Sequence, residues 1–287
     1  MTIRYILGEK RITNDYLSEK FPKWKKGRFE KRVGIYNRFK SSLTSLELAT
    51  KIFINERRSE QNLIYVTQTN QFSIPGDAFV YANLVGLNVK EVIQISSGCS
   101  GFVDALNLAF NFENNLCSII CTDTYQSIVD QEEASNLILF SDCASLTQIN
   151  MKEYSKVYYD TLIDTGNYSK IQRQNRKHDF FKMEGKEVYN FVLERVLPFI
   201  ISSLAGKNVE VLYLHQANRM MLDIMKEEIH KIYPNIVIPI FIEDGNCVSS
   251  SIPKVMFDEN KFNTYESIAM CGFGVGLKAS LIIINRK

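Results

Sequence analysis

A cysteine in the segment IQISSGCSGFVDALNLAF, residues 93–110, stands where a chain could use a nucleophile. Cys99 follows an alternating apolar strand and precedes an apolar helix, with small residues and glycines on both sides. A helix N-terminus lowers the pKa of a thiol through its unpaired N–H groups and its positive dipole end, and a thiolate attacks carbonyl carbons. The segment therefore favours acyl transfer through Cys99. The alternative is a buried cysteine that only fills a tight strand-to-helix turn.

Two polar residues in the second half of the chain could complete such a site. His215 ends the apolar run VLYL, and Asn246 follows the apolar run IVIPIFI in the turn DGN. Each has an ordinary structural alternative, as a hydrogen-bonded histidine or a turn asparagine. Together with a thiolate they would supply a nucleophile and two donors, which suits acyl transfer and stabilisation of an enolate oxygen. The other histidines, His178 and His230, lie in charged surroundings and are predicted to be surface residues.

A glycine-rich turn adds a possible oxyanion hole. The segment CGFGVGLKAS, residues 271–280, joins two apolar stretches. Gly274 or a neighbour could direct a backbone N–H at a thioester oxygen, together with the N–H of Cys99. This turn is not a dinucleotide fingerprint, because that motif opens a helix after a strand. Papain-like hydrolases also use Cys, His and Asn, but their local signature around the cysteine is absent here.

Alternating apolar patterns predict an α/β protein with buried parallel strands around these residues. A weak internal repeat relates NLIYVTQTN (62–70) to EVLYLHQAN (210–218), and two halves, 1–148 and 149–287, packed about a pseudo-twofold axis would bring the strand ends together. The helix at 43–56 is predicted to be capped by Ser42 or Thr44. The predicted helices are 43–56, 77–87, 99–112, 187–204 and 220–232, and the predicted strands are 63–67, 92–95, 118–121, 211–214, 236–242, 267–270 and 277–284.

Composition excludes several classes of protein. The 287 residues are 45% hydrophobic and 23% charged, which is ordinary for a soluble globular protein, and the net charge of +2 does not indicate a nucleic-acid partner. The basic segment KWKKGRFEKR, residues 23–32, is either a solvated face or a docking site for a phosphate or an acidic partner. Six cysteines without CxxC or zinc spacing predict a reduced, cytoplasmic protein without a metal. Neither a signal peptide nor a membrane span is predicted.

Four motifs in order, SGCSGF, LHQAN, DGNCVSSSIP and GFGVGL, resemble those of the β-ketoacyl-acyl-carrier-protein synthase III family of the thiolase superfamily. Further segments resemble that family across nearly the whole chain: RVGIYNR (32–38), TQTNQFSIPGDA (67–78), LFSDCAS (139–145) and FKMEGKEVYNF (181–191). Each short match is weak alone. Their common order and spacing identify the chain as a member of the family.

The resemblance implies a five-layered αβαβα thiolase-like fold, with two pseudo-twofold-related halves and mixed sheets, and a homodimer. It also implies that an acyl-CoA acylates Cys99 and that a malonyl thioester on acyl carrier protein then undergoes decarboxylative Claisen condensation. CoA and the carrier's phosphopantetheine are substrates, and no cofactor is implied. His215 and Asn246 would bind the malonyl thioester carbonyl, and the N–H groups of Cys99 and Gly274 would form the oxyanion hole. The implied substrate-binding positions are Arg28, Arg32, Ile74, Met183 and Arg219.

Several positions depart from the family pattern. Arg28 stands where the family often has a tryptophan that stacks on the CoA adenine, and Arg219 is displaced by one residue from the family's docking arginine. Cys143 and Lys278 also replace residues that are more usual in the family. These departures favour an enzyme of a specialised biosynthetic pathway. One alternative is an acyltransferase that uses an amine or hydroxyl acceptor without decarboxylation. The other is a non-catalytic partner subunit, which the retained Cys99 argues against.

Overall fold

A computed structural model describes residues 1–24, 26–53, 60–113, 115–174 and 179–287. The strands are β1 (Thr2–Leu7), β2 (Lys10–Thr13), β3 (Asn37–Lys40), β4 (Gln61–Val66), β5 (Val89–Ile95), β6 (Leu116–Asp123), β7 (Cys143–Asn150), β8 (Tyr154–Ile163), β9 (Ile171–Gln172), β10 (Lys182–Met183), β11 (Val211–Leu214), β12 (Ser267–Gly274) and β13 (Lys278–Arg286). The helices are α1 (Asn14–Lys20), α2 (Lys26–Val33), α3 (Ser45–Thr50), α4 (Asp77–Leu84), α5 (Gly101–Ala109), α6 (Ala134–Leu137), α7 (Gly185–Phe191), α8 (Leu197–Leu204), α9 (Arg219–Ile232) and α10 (Ser251–Glu259).

Two mixed sheets form the body of the protein. The first has the strand order β1-β7-β6-β4-β5, and the second has the order β11-β12-β13-β8. In the first sheet β4 runs parallel to β5 and β6, and in the second β11 runs parallel to β12, while the remaining pairs are antiparallel. A single parallel bridge joins Val211 to Val237 at the outer edge of β11. This bridge occupies the position that corresponds to β5 beside β4 in the first sheet. The two sheets thus repeat one topology, as the internal repeat predicted.

Helices separate and cover the sheets in five layers. Helix α5 contacts β4 and β6 of one sheet and β12 and β13 of the other, and α10 contacts β1, β7 and β11. These two helices form the middle layer. Helices α3 and α4 bury their apolar side chains against the outer face of the first sheet, and α8 and α9 do so against the second. The fold is therefore the αβαβα arrangement of thiolase-like proteins, because each sheet buries both faces under helices.

The predicted strand at 236–242 is wrong. Apart from its one bridge, this segment makes no ladder, because Pro239 has no N–H to donate. The side chain of Gln216 takes the place of a neighbouring strand: its Nε2 donates to the Pro239 carbonyl at 3.4 Å, and its Oε1 accepts from the Phe241 N–H at 2.9 Å. The other predicted strands are confirmed with small shifts at their ends.

The predicted helices are confirmed in place but differ in length. Thr44 caps α3 in a capping box with Glu47, as expected, but the helix ends at Thr50, where the hydrogen bonds from Lys51 and Ile52 tighten to the third residue back. Residues 54–56 of that prediction lie outside the described residues. The helix predicted over 187–204 runs through α7, a π turn (Val192–Val196) and α8.

The predicted boundary between the two halves, at residue 148, falls within β7 and stays a prediction. In the described part of the chain, no helix is long and apolar enough to cross a membrane.

Candidate active site

Cys99 lies in a 3₁₀ turn (Gly98–Ser100) between β5 and α5, and only 8% of its surface is exposed. Strand β12 runs directly behind this turn. A Cβ on Gly272 would come within 2.5 Å of the Cys99 carbonyl oxygen, and one on Gly274, whose φ is 147°, within 3.2 Å of the Cys99 sulfur. Glycine at both positions lets β12 lie close to Cys99, which a side chain at either position would prevent.

The predicted low pKa of the Cys99 thiol is wrong. Burial raises the pKa of this thiol to about 12, and the carboxyl group of Asp123 acts in the same direction. Backbone N–H groups of Val275 and of Cys99 itself favour the thiolate, but they do not outweigh burial. Neighbouring elements cover the turn before α5, so the effect of burial on the thiol is larger than that of the helix N-terminus. A thiol with this pKa carries its proton at neutral pH.

His215 directly follows β11, and its imidazole is buried and neutral. Its backbone N–H donates to the Cys271 carbonyl at 2.9 Å, which continues the pairing of β11 with β12. The imidazole meets the ring of Phe273 edge to face, with centroids 5.5 Å apart. Burial lowers the pKa of His215 to about 3. Its Nδ1 has no hydrogen-bond partner among the described residues, so the ring's polar contacts are made through Nε2.

Asn246 presents its amide nitrogen to that imidazole. Its Oδ1 accepts a hydrogen bond from the Val248 N–H at 2.8 Å, which fixes the orientation of the amide. Its Nδ2 then lies 3.4 Å from Nε2 of His215. In the histidine tautomer with its proton on Nε2, both nitrogens are donors, and at this spacing they can both approach one oxygen at about 2.9 Å, with an angle of roughly 70° between them. The pair is therefore spaced to bind a single carbonyl or enolate oxygen.

One apolar cavity of about 150 Å³ brings Cys99, His215 and Asn246 together. Met183 and Gly274 also line this cavity, and Val275, beside Gly274, is the residue whose N–H faces the thiol. The residues that sequence reasoning missed are Val275 and three aromatic side chains of the wall: Tyr125, Phe140 and Phe181. Phe140 and Phe181 lie in two of the segments that resemble the family, but no local pattern shows that these aromatics meet, because they come from three separate segments.

The other predicted binding residues lie elsewhere or are not described. Ile74 precedes a cis proline and is 87% exposed, and Arg219, the first residue of α9, is 46% exposed in its side chain. Neither lines the cavity. The Nε of Arg219 lies 2.8 and 3.0 Å from the two carboxylate oxygens of Asp223. Helix α2 carries the positions of Arg28 and Arg32, but their side chains lie outside the described part of the chain.

The sequence also predicted two surface histidines and a basic segment at residues 23–32. His230 is half-buried, and its Nε2 lies 2.9 Å from the Ile236 carbonyl oxygen, so it is not a free surface residue. His178 and Lys25 lie outside the described residues. Within the residues that are described, no three histidine, cysteine or carboxylate side chains are grouped so as to hold a metal ion.

The unusual Lys278 has a partner in the middle layer. Its Nζ lies 2.6 Å from Oδ2 of Asp104 on α5. The same carboxylate accepts from the hydroxyls of Ser280 at 2.7 Å, Tyr159 at 3.2 Å and Ser100 at 3.2 Å. The Asp104 charge is thus balanced and fully hydrogen-bonded next to the turn that holds Cys99. The lysine at position 278, which is unusual in the family, therefore forms an ion pair with Asp104.

Comparisons with known proteins agree with this architecture. Residues 202–285 match the family described as 3-oxoacyl-[acyl-carrier-protein] synthase III C terminal. The chain is 26% identical over 292 residues to the β-ketoacyl-[acyl-carrier-protein] synthase III of Streptococcus sanguinis, which covers 88% of this chain and 89% of the relative. The enzyme of the same name from Acholeplasma laidlawii is 28% identical over 283 residues, covering 88% and 87%.

Solved structures show the same fold. A 3-oxoacyl-(acyl-carrier-protein) synthase III superposes with a TM-score of 0.86 at 24% identity, covering 99% of this chain and 98% of that one. The priming β-ketosynthase of the R1128 polyketide pathway superposes with a TM-score of 0.85 at 19% identity, covering 99% and 95%. The fold class expected from the motifs is confirmed, and the named relatives are condensing enzymes of the transferase type.

Proposed function

The chain is a homologue of the β-ketoacyl-acyl-carrier-protein synthase III enzymes, and from this premise we propose that it condenses an acyl group carried on Cys99 with a malonyl thioester. The main support is the spacing of 3.4 Å between Nε2 of His215 and Nδ2 of Asn246, in the cavity that also contains Cys99. A papain-like hydrolase needs its imidazole as a base, whereas burial lowers the pKa of His215 to about 3 and so disfavours proton uptake.

In the first half-reaction the Cys99 sulfur attacks the carbonyl carbon of an acyl-CoA. The new S–C bond replaces the bond to the CoA sulfur, and the proton of the thiol ends on the departing CoA. The N–H groups of Cys99 and Gly274, or of the neighbouring Val275, are proposed to hold the oxygen of the tetrahedral intermediate. Because the pKa of the Cys99 thiol is about 12, the sulfur is protonated before this step, and its proton is transferred in the course of the half-reaction.

In the second half-reaction the malonyl thioester loses carbon dioxide and becomes an enolate. Its oxygen accepts hydrogen bonds from His215 and Asn246, and its carbon attacks the acyl-cysteine. The Cys99 sulfur leaves as a thiolate and takes up a proton. A neutral imidazole suits this role, since an imidazolium would give its proton to the enolate and end the reaction before the new bond forms.

The partners follow from the surface and the family. We propose acyl-CoA as the acyl donor and acyl carrier protein as the malonyl donor, with Met183 beside the entering thioester and with positions 28, 32 and 219, all arginine in the sequence, for acidic or phosphate groups. Arg219 must exchange its pairing with Asp223 for any carrier contact. Arg28 stands where the family often has a tryptophan that stacks on the CoA adenine, and this departure supports a specialised pathway. The six free thiols support a cytoplasmic location.

We further propose a homodimer formed at β5. This strand pairs with β4 on one side, and in the described chain no strand pairs with its other edge. The first turn of α4 lies against it, since Gln94 of β5 accepts a hydrogen bond from the Ala78 N–H at 3.0 Å. Exposed apolar residues of the same region, Phe72, Ile74 and Phe79, would be covered by a second copy.

Covalent loading followed by carbon dioxide release tests the function. Incubation with acetyl-CoA should add one acetyl group to the protein, and this adduct should disappear in Cys99→Ala but remain in Cys117→Ala, which removes a buried thiol of β6 outside the cavity. With malonyl-acyl carrier protein, Asn246→Ala should lower kcat by about 10²- to 10³-fold while loading continues.

Two results would contradict this scheme. An acetyl adduct that persists in Cys99→Ala would remove the nucleophile. Loading at Cys99 without carbon dioxide release from any malonyl thioester would favour the acyltransferase that uses an amine or hydroxyl acceptor.

A further inference from the structure

The turn beside the Cys99 thiol has a strained backbone. It consists of Val275–Leu277 and joins β12 to β13. Leu277 has a φ of 44°, in the left-handed region that a residue with a side chain rarely adopts. Such a conformation persists only where the surrounding contacts enforce it. The position of the Val275 N–H, which faces the Cys99 thiol, therefore depends on the contacts that hold this turn.

Two contacts hold the end of the turn. The carbonyl of Leu277 accepts a hydrogen bond from the Asp164 N–H at 3.0 Å. The next residue, Lys278, pairs with Gly274 across the hairpin, so the two ends of the turn move together. The side chain of Lys278 extends to α5, where its Nζ lies 2.6 Å from Oδ2 of Asp104. A charged contact thus ties the base of this turn to the helix that directly follows Cys99.

The carboxylate that pairs with Lys278 also binds the turn of the nucleophile. Asp104 is buried, and its Oδ2 accepts a hydrogen bond from the Ser100 hydroxyl at 3.2 Å. Ser100 follows Cys99 directly and belongs to the same 3₁₀ turn. On its other oxygen the carboxylate accepts from the hydroxyl of Ser280, on β13, at 2.7 Å. Charge-assisted bonds are short and strong, so this carboxylate fixes the spacing between the two turns.

We infer that Lys278, acting through Asp104, is a positioning residue for acyl transfer to Cys99. It holds the glycine turn so that the N–H groups of Gly274 and Val275 face the oxygen of the tetrahedral intermediate. The inference rests on the proposed function, since it concerns the first half-reaction. Neither Lys278 nor Asp104 lines the cavity, so both act through the backbone of the elements that they join. This role accounts for a lysine that departs from the family pattern.

Acetylation and alkylation of Cys99 separate this role from a merely structural one. Acetyl transfer passes through an oxyanion, whereas iodoacetamide forms an S–C bond as iodide leaves and the thiol proton passes to the buffer. Lys278→Met should lower the rate constant of acetylation at saturating acetyl-CoA by about 10- to 100-fold, because the donors are misplaced. Alkylation should stay within about twofold of wild type at each pH, because it develops no oxyanion. Both reactions are followed at Cys99 by peptide mass spectrometry.

Three variants complete the test. Lys278→Arg keeps the cation and should restore acetylation to within about threefold of wild type. Adding Asp104→Asn to Lys278→Met should lower acetylation little further, because the lysine acts through that carboxylate. Lys156→Met is the matched control, since it removes a lysine whose Nζ lies 2.9 Å from Oδ1 of Asn107, further along the same helix. This control should leave both reactions unchanged.

Unchanged acetylation in Lys278→Met would overturn the inference. So would an equal loss of acetylation and alkylation, or an equal loss in Lys156→Met, since each would show general loosening around α5. A second acetyl donor, p-nitrophenyl acetate, separates the inference from the proposed function, because it acetylates Cys99 with p-nitrophenolate as the leaving group and needs no CoA recognition. The same pattern among the variants with this ester, but no loading from any acyl-CoA, would refute the proposed function and support the positioning role.

Discussion

Acid should destabilise this protein through His215. In the native state burial holds the pKa of the imidazole at about 3, whereas the unfolded chain binds a proton near 6.5. Below about pH 6.5, the unfolded chain therefore binds a proton at His215 that the native state does not bind, and this lowers the free energy of unfolding. Near pH 5 the difference amounts to about 2 kcal/mol of the free energy of unfolding, compared with neutral pH. His215→Gln removes this titration while it keeps a polar side chain of similar reach.

The measurement is urea unfolding of wild type and His215→Gln at about pH 7.5 and about pH 5. The free energy of unfolding should fall by about 2 kcal/mol more in wild type than in the variant between the two pH values. Buried carboxyl groups act in the opposite direction, since burial raises the pKa of Asp123 to about 6 and that of Asp142 to about 7, but they are common to both proteins and cancel. An equal fall in both proteins would show that His215 is solvated or charged in the native state.

Three further substitutions probe the framework of the site. Gly274→Ala places a methyl group within about 3.2 Å of the Cys99 sulfur at a φ that disfavours side chains, so acyl loading should drop more than about tenfold in mass spectrometry while circular dichroism stays unchanged. Lys278→Met leaves the Asp104 carboxylate without its cation, which should lower the free energy of unfolding by about 1–3 kcal/mol; losses in Lys278→Met and Asp104→Asn that simply add in the double variant would contradict a stabilising pair. Gln216→Ala removes the amide that holds the segment after α9, so it should cost about 2 kcal/mol and speed hydrogen exchange at Phe241.

The positions of the strands that carry the site could be predicted from the sequence because their apolar runs are continuous. The strands β4 and β11 are buried along their whole length, and the polar residue after each marks a strand end. The internal repeat then indicated that Cys99, His215 and Asn246 approach one another, and they line one cavity. Their chemical roles remain predictions.

Features that depend on distant contacts could not be predicted. Lys278 and Asp104 are 174 positions apart, so no local pattern shows that they pair. The pKa of the Cys99 thiol follows from the elements that cover it, whereas the sequence shows only the helix that follows it. The segment 236–242 has the composition of a strand, but one proline and one side-chain amide decide its conformation.

The backbone of Asn246 is bonded to residues 139 and 141, near the middle of the chain, while its side chain points at His215, further along. The distance between the Asn246 amide and the His215 imidazole therefore depends on how the two repeated units pack against each other, and a substitution far from both residues that shifts this packing would change it.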